Sequence, residues 1–140
     1  MSPYTLQLEH EFAASPDRIW RAWTTEDGLA AWWWPTWSPT ISIDLRVGGG
    51  YRIEAADPKI IVEGRYVIIE PVSHLRMTWI WTDPDGAGPE EEVDVTFAPE
   101  GVGTLIRLQH TGPWTSAEPA DNYRQGWTSV LDNLLRVVSL

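Results

Sequence analysis

The run Tyr123-Arg124-Gln125-Gly126-Trp127-Thr128-Ser129-Val130-Leu131-Asp132-Asn133-Leu134-Leu135-Arg136-Val137-Val138 decides how this chain is read. Tyr123, Trp127, Val130, Leu131, Leu134 and Val138 recur at helical spacing and make one wide apolar face. No other segment carries a stripe this long, and the segments before it read mostly as strands. A long helix after many strands has to bury its stripe against a sheet, because neither element hides its apolar face alone. Where a curved sheet parts from the helix, a cavity lies between them. The expectation is a sheet-plus-helix domain with an interior ligand site.

The 140 residues suit one domain, spanning 1–140, large enough to bury a core without staples. The absence of cysteine excludes disulfides, thiolate metal sites and cysteine nucleophiles, and fits a reducing, cytoplasmic setting. Met1-Ser2-Pro3-Tyr4 lacks the basic and apolar regions of a signal peptide, and no window is apolar enough for a membrane span. Twenty acidic residues against ten basic ones give a net charge of −10, which disfavours nucleic acid and anionic lipid and leaves neutral or cationic partners. Ten tryptophans are the unusual feature. Most should pack the core, and a few should line a cavity.

Along the chain, Leu6, Leu8, His10 and Phe12 alternate with polar residues, the pattern of a half-buried strand. Ser15-Pro16-Asp17 opens a helix whose buried face is Ile19, Trp20 and Trp23. Thr24 or Thr25 caps a second short helix holding Leu29 and Trp32. Pro35 and Pro39 exclude regular structure from Trp32 to Pro39, read as a loop whose indoles fold back. Strands follow over Thr40–Leu45, Tyr51–Ala55, Lys59–Glu70, Leu75–Trp81, Glu92–Phe97 and Thr104–His110. Gly48-Gly49-Gly50, Asp57-Pro58, Asp83-Pro84-Asp85-Gly86 and Pro99–Gly103 are turns, the first needing several positive φ angles. About seven strands on short connections predict a largely antiparallel sheet. Thr115 to Glu118 fits a capping box, although Pro119 favours a helix start near itself.

Five motifs in order then resemble a known family. Ser15-Pro16-Asp17-Arg18-Ile19-Trp20 is similar to its first helix, and Trp32-Trp33 before Pro35 to its Trp-Trp motif. Asp44-Leu45-Arg46-Val47-Gly48-Gly49 resembles its Asp-x-Arg-x-Gly-Gly turn. Gly103-Thr104 leading to His110-Thr111-Gly112, and the closing Gly126-Trp127, match in position. The chain resembles the AHSA-type branch (activator of heat-shock-protein ATPase homologues) of the START-like, or SRPBCC, superfamily, over nearly its whole length. The resemblance implies an α+β helix-grip fold, a seven-stranded curved antiparallel sheet around a long C-terminal helix, with a hydrophobic cavity between them. The superfamily includes lipid and hormone carriers and polyketide cyclases. The branch's name ties it to chaperones and the stress response, and many relatives are homodimers. Trp34 departs from the pattern, since relatives usually carry a small residue there.

The chemistry is sparse. Gly-x-Ser-x-Gly is absent, three scattered histidines give no metal spacing, and no cofactor is expected. His10 and His110 should lie at opposite ends of neighbouring strands, and His74 in a turn in contact with water. His110, inward after Ile106 and Leu108, is a candidate polar anchor or general base. Its replacement by alanine is expected to weaken ligand binding more than the fold. Family register turns Glu91 inward with Val93, Val95 and Phe97, where a carboxylate could serve as acid or base. Glu63, Arg65 and Arg107 lie on strands whose facing stays open, and Asp44 with Arg46 reads as a structural pair. Met77, Trp79 and Trp81 share one strand face. With Tyr51, Tyr66, Trp114, Trp127, Leu131 and Trp33 they are the expected walls of an aromatic slot. The expected partner is a small apolar or aromatic molecule.

Three functions compete: a ligand-binding domain, a cofactor-free cyclase, hydrolase or isomerase using His110, Glu91 or a tyrosine, and a protein-interaction module. An inward carboxylate beside His110 would favour the enzyme and a closed slot without ionisable groups the carrier. A filled cavity with Trp34 and Trp37 exposed would favour the interaction module.

Overall fold

Side chains two apart share a face of a strand, and this chain uses that period to build one curved antiparallel sheet. The computed structural model describes residues 4–139. The reading of the N-terminus falls on residues 1–3 and so lies outside the described residues. The strands are β1 (Thr5–Phe12), β2 (Thr40–Ile43), β3 (Gly50–Ala55), β4 (Ile60–Glu70), β5 (His74–Asp83), β6 (Gly86–Ala87), β7 (Glu91–Glu100) and β8 (Gly103–Thr111). They are ordered β1-β8-β7-β5-β4-β3-β2, with β6 paired to β5 beside the main path. Seven strands therefore carry the sheet as expected, and the eighth is a two-residue return after the Asp83–Gly86 turn. The helices are α1 (Pro16–Thr24), α2 (Glu26–Ala30) and α3 (Glu118–Val138). Among the described residues no helix is long and apolar enough to cross a membrane.

Local chemistry sets the helix ends. Ser15 Oγ accepts from Arg18 N, and Thr25 Oγ1 accepts from Gly28 N, so α1 and α2 carry side-chain caps. At α3 the capping box does not form. The helix starts at Glu118 with Pro119 in its first turn, and Ser116 Oγ accepts from Glu118 N instead. Proline tolerates the first turn because its missing N–H has no intrahelical partner there. Pro35–Trp37, expected to be irregular, forms one 3-10 turn flanked by Trp34 and Ser38, each at φ 47°. In the glycine turn only Gly48 has a positive φ, 85°. Gly49 is held by crowding, since a Cβ there would sit 2.1 Å from the Asp44 carbonyl oxygen.

The inward faces of β1, β5, β7 and β8 meet the α3 stripe, and Trp127, Val130, Leu131, Leu134 and Val138 are all buried there. Asn133 Nδ2 donates to the Trp32 carbonyl and Arg18 to that of Val138, tying α3 to the first helices. His10 lies opposite Ile106, and His110 opposite Leu6, so the two histidines occupy opposite ends of the β1–β8 pair. His10 meets Asp132 of α3 at 3.2 Å.

His74 is not a turn residue. It begins β5 on the outer face, with Nδ1 3.0 Å from Glu70 and Nε2 2.9 Å from Asp94, which also takes a bond from Arg76. Partial burial pulls its pKa down, but the bonds and charges of Asp94 and Glu70 together outweigh this and raise it above 6.5. The stability it contributes is therefore full below pH 6.5 and lost as pH rises through the raised folded value. His74→Gln should remove that loss from a plot of melting temperature against pH. An unchanged plot would dismiss the ion cluster as a contributor.

Candidate functional site

Strand register brings the polar interior together. Glu91 opens β7 opposite Trp79 of β5, and Val93, two residues on, lies opposite His110 of β8. Glu91, Trp79 and His110 thus share one end of the inward face, beneath the first turns of α3. Glu91 is 7% exposed and His110 0%.

The hydrogen bonds fix each group. Trp127 Nε1 lies 3.0 Å from His110 Nδ1, and an indole N–H can only donate. Nδ1 must accept, so the proton of the neutral imidazole is on Nε2, where it donates to Glu91 Oε1 at 2.8 Å. Trp114 Nε1 donates to Glu91 Oε2 at 2.9 Å. Trp79 Nε1 donates to Tyr123 Oη at 3.2 Å. Burial, partly offset by Glu91, lowers the pKa of His110 and keeps it neutral. Burial and the Glu91 charge raise that of Tyr123, which stays a phenol. Gly112 permits this packing: a Cβ there would lie 2.4 Å from Trp114 Nε1 and 2.9 Å from Glu91 Cγ.

The space under α3 is largely filled by tryptophan. Trp127 stacks on Trp23 at 5.9 Å and meets Trp33 and Trp79 edge-on or tilted at 5.2 and 5.3 Å. A crevice of about 80 Å³ remains between Trp33, Trp34, Trp79, Trp81, Tyr123 and Trp127. That is far below the roughly 300 Å³ at which ligand pockets begin. The larger opening lies at the N-terminal end of α3. It is a groove of about 650 Å³ walled by Trp81, Trp114 and Tyr123, with Pro89 and Pro113 at its rim and Glu91 in its lining. Trp81, Tyr123 and Gly126 border both spaces, so the groove leads to the crevice.

The expected site residues therefore divide. Trp81 and Trp114 line the groove with Glu91, while Trp33, Trp79 and Trp127 face the crevice. Tyr51, Tyr66, Met77 and Leu131 lie in the packed core and border neither opening; Tyr51 donates its hydroxyl proton to the Thr78 carbonyl at 2.6 Å. His110 is sealed behind Glu91, with both ring nitrogens engaged. Tyr123, Asn122 and Gly126 were not anticipated in the lining. The helical stripe could have flagged Tyr123, which lies four residues before Trp127 on the same side of the helix.

A curved sheet gripping a long helix, with a groove where the two part, defines a helix-grip domain. The chain belongs to the family Activator of Hsp90 ATPase homolog 1-like protein, whose pattern it matches over residues 13–139. Among solved structures, CV1439 from Chromobacterium violaceum is 28% identical, with a TM-score of 0.82 and 99% of each chain covered. DynU16, from the dynemicin biosynthetic locus, is 20% identical with a TM-score of 0.84; 99% of this chain covers 48% of that one. The Aha1 dimer of Colwellia psychrerythraea is 20% identical with a TM-score of 0.76, covering 96% of this chain and 95% of that one. No curated protein matches the sequence.

Proposed function

We propose that this chain is a cytoplasmic small-molecule-binding START-like domain whose apolar or aromatic ligand lies in the groove between α3 and the sheet. One observation carries the reading: three aromatic side chains wall an opening of ligand size, and the helix crossing it holds a glycine at the wall. Gly126 sits mid-helix, where alanine would be more stable by about 0.5–1 kcal/mol. Its added Cβ would meet no protein atom within 4 Å. The space it leaves serves a ligand better than it serves the fold. Native mass spectrometry of freshly purified protein should find a co-purified small molecule. Gly126→Ala should raise the melting temperature yet weaken that binding, and Gly126→Leu should abolish it. Equal binding in all three proteins would move the ligand out of the groove.

A cofactor-free enzyme is the second reading, favoured by the 2.8 Å bond between Glu91 and His110. Here Glu91 would be the general base and His110 its positioning residue, because only Glu91 reaches the groove. A bound compound chemically changed by the wild type and unchanged by Glu91→Gln would select this reading. As for assembly, Trp37 is 40% exposed and rests on Trp34 at 5.2 Å, a face that a second copy could cover as in a homodimer. Sedimentation of wild type and Trp37→Ser tests it, with a dimer expected only for the former.

A further inference from the structure

The charge of the groove is one-sided. Among the described residues its lining includes the carboxylates of Glu91 and Glu118 and no lysine, arginine or histidine. A third carboxylate, Asp83, stands beside the wall, accepting from Trp81 Nε1 at 3.1 Å. Glu91 is the deepest of these. Its hydrogen-bond partners are an indole N–H and a neutral imidazole N–H, neither of which brings a positive charge. Neutral donors offset part of the desolvation of a buried carboxylate, but a cation close by would offset far more. The positive end of α3 also borders the groove. It is already met by Glu118 and Asp121 in the first turn and by Ser116 Oγ, and Pro119 removes one of its free donors. Aromatic faces with a carboxylate at the base suit a cation, since the ring quadrupole and the carboxylate attract it together.

We propose that the groove selects a cationic ligand: an aromatic or apolar molecule bearing one ammonium group, with its apolar body against Trp81, Trp114 and Tyr123 and its ammonium on Glu91. This rests on the reading of the groove as the ligand site, and it adds the class of ligand. The charge complementarity is local as well as global, since the chain as a whole carries −10. In a desolvated aromatic site a cation gains enough over a neutral group for about a tenfold difference in affinity.

Three probes that share one ring and differ in one terminal group test this: naphthylethylamine, naphthylethanol and naphthylacetate. Each is titrated into the wild-type protein at neutral pH, where the amine is protonated, and tryptophan quenching is followed. The amine is expected to bind about tenfold more tightly than the alcohol, and naphthylacetate more weakly than both. In Glu91→Gln the amine should bind no more tightly than the alcohol does in that same variant. Equal binding of amine and alcohol, or tightest binding of the anion, overturns the charge selectivity and leaves the ligand-binding reading in place. A preference for the amine that survives in Glu91→Gln overturns the assignment to Glu91. If no probe quenches saturably, groove and selectivity fall together. Should Glu91→Gln fail to fold, the three titrations of the wild type decide the matter alone.

Discussion

Trp127→Ala is expected to lower stability by about 3–5 kcal/mol, a large share of the roughly 5–15 kcal/mol that holds a typical domain together. Trp127 is 3% exposed, and its ring lies against Trp23, Trp33 and Trp79. Removal leaves a cavity that rigid indole neighbours cannot refill. A paired comparison separates packing from hydrogen bonding. Trp127→Phe deletes an N–H that His110 Nδ1 accepts, whereas Trp33→Phe deletes an N–H with no partner among the described residues. Both changes remove the same atoms from a buried site. Trp127→Phe should cost about 1–3 kcal/mol more, because it leaves a buried acceptor unmet. Urea unfolding of the two variants measures the difference. Equal costs would reduce the Trp127–His110 bond to a packing coincidence.

His110→Ala is expected to cost about 2–4 kcal/mol, from lost packing and from stranding the Trp127 N–H and Glu91 Oε1. The sequence suggested an effect mainly on ligand binding. Full burial behind Glu91 reverses that order. Glutamine can present an N–H to Glu91 and an oxygen to Trp127, so His110→Gln should recover part of the loss, and alanine none. The pH dependence has a definite sign. The folded pKa of His110 lies below the ordinary 6.5, so the unfolded chain takes up the proton first. The stability from His110 is complete above pH 6.5 and is lost as pH falls from there through the folded value. His110→Gln should flatten that acid-side decline. A stable His110→Ala protein that no longer binds the naphthyl probes would place the imidazole in the groove.

The sheet was legible because alternation along β1, β5, β7 and β8 leaves little choice of face: Leu6, Leu75, Val95 and Leu108 could only point inward. The same alternation turned His110 toward the helix, and the register of the resembling family did so for Glu91. What it could not show is that they pair, since pairing depends on the offset between β7 and β8. That offset is set by the turn at Gly101, whose φ is 59°. His74 was misplaced because Glu70 and Asp94, its partners, come from two other strands. The position of the open space was hidden for another reason. Ring orientations decide whether ten indoles fill a cavity or line one, and a sequence carries no ring angles. Gly126 and the prolines at 89 and 113 were the available hints, and each reads as an ordinary helix or turn residue in isolation.

The indole packing has an optical consequence. Trp37, Trp34, Trp33, Trp32, Trp23, Trp127 and Trp79 form a connected series, which Trp81 joins at Trp34, with neighbouring centroids 5.1 to 6.0 Å apart. Excitation absorbed by one ring can hop to the next before it is emitted. Light from eight of the ten tryptophans is then a shared property, and an energy acceptor seated against Trp81 drains the whole series. The protein carries its own antenna, with one branch, Trp81, at the mouth of the groove.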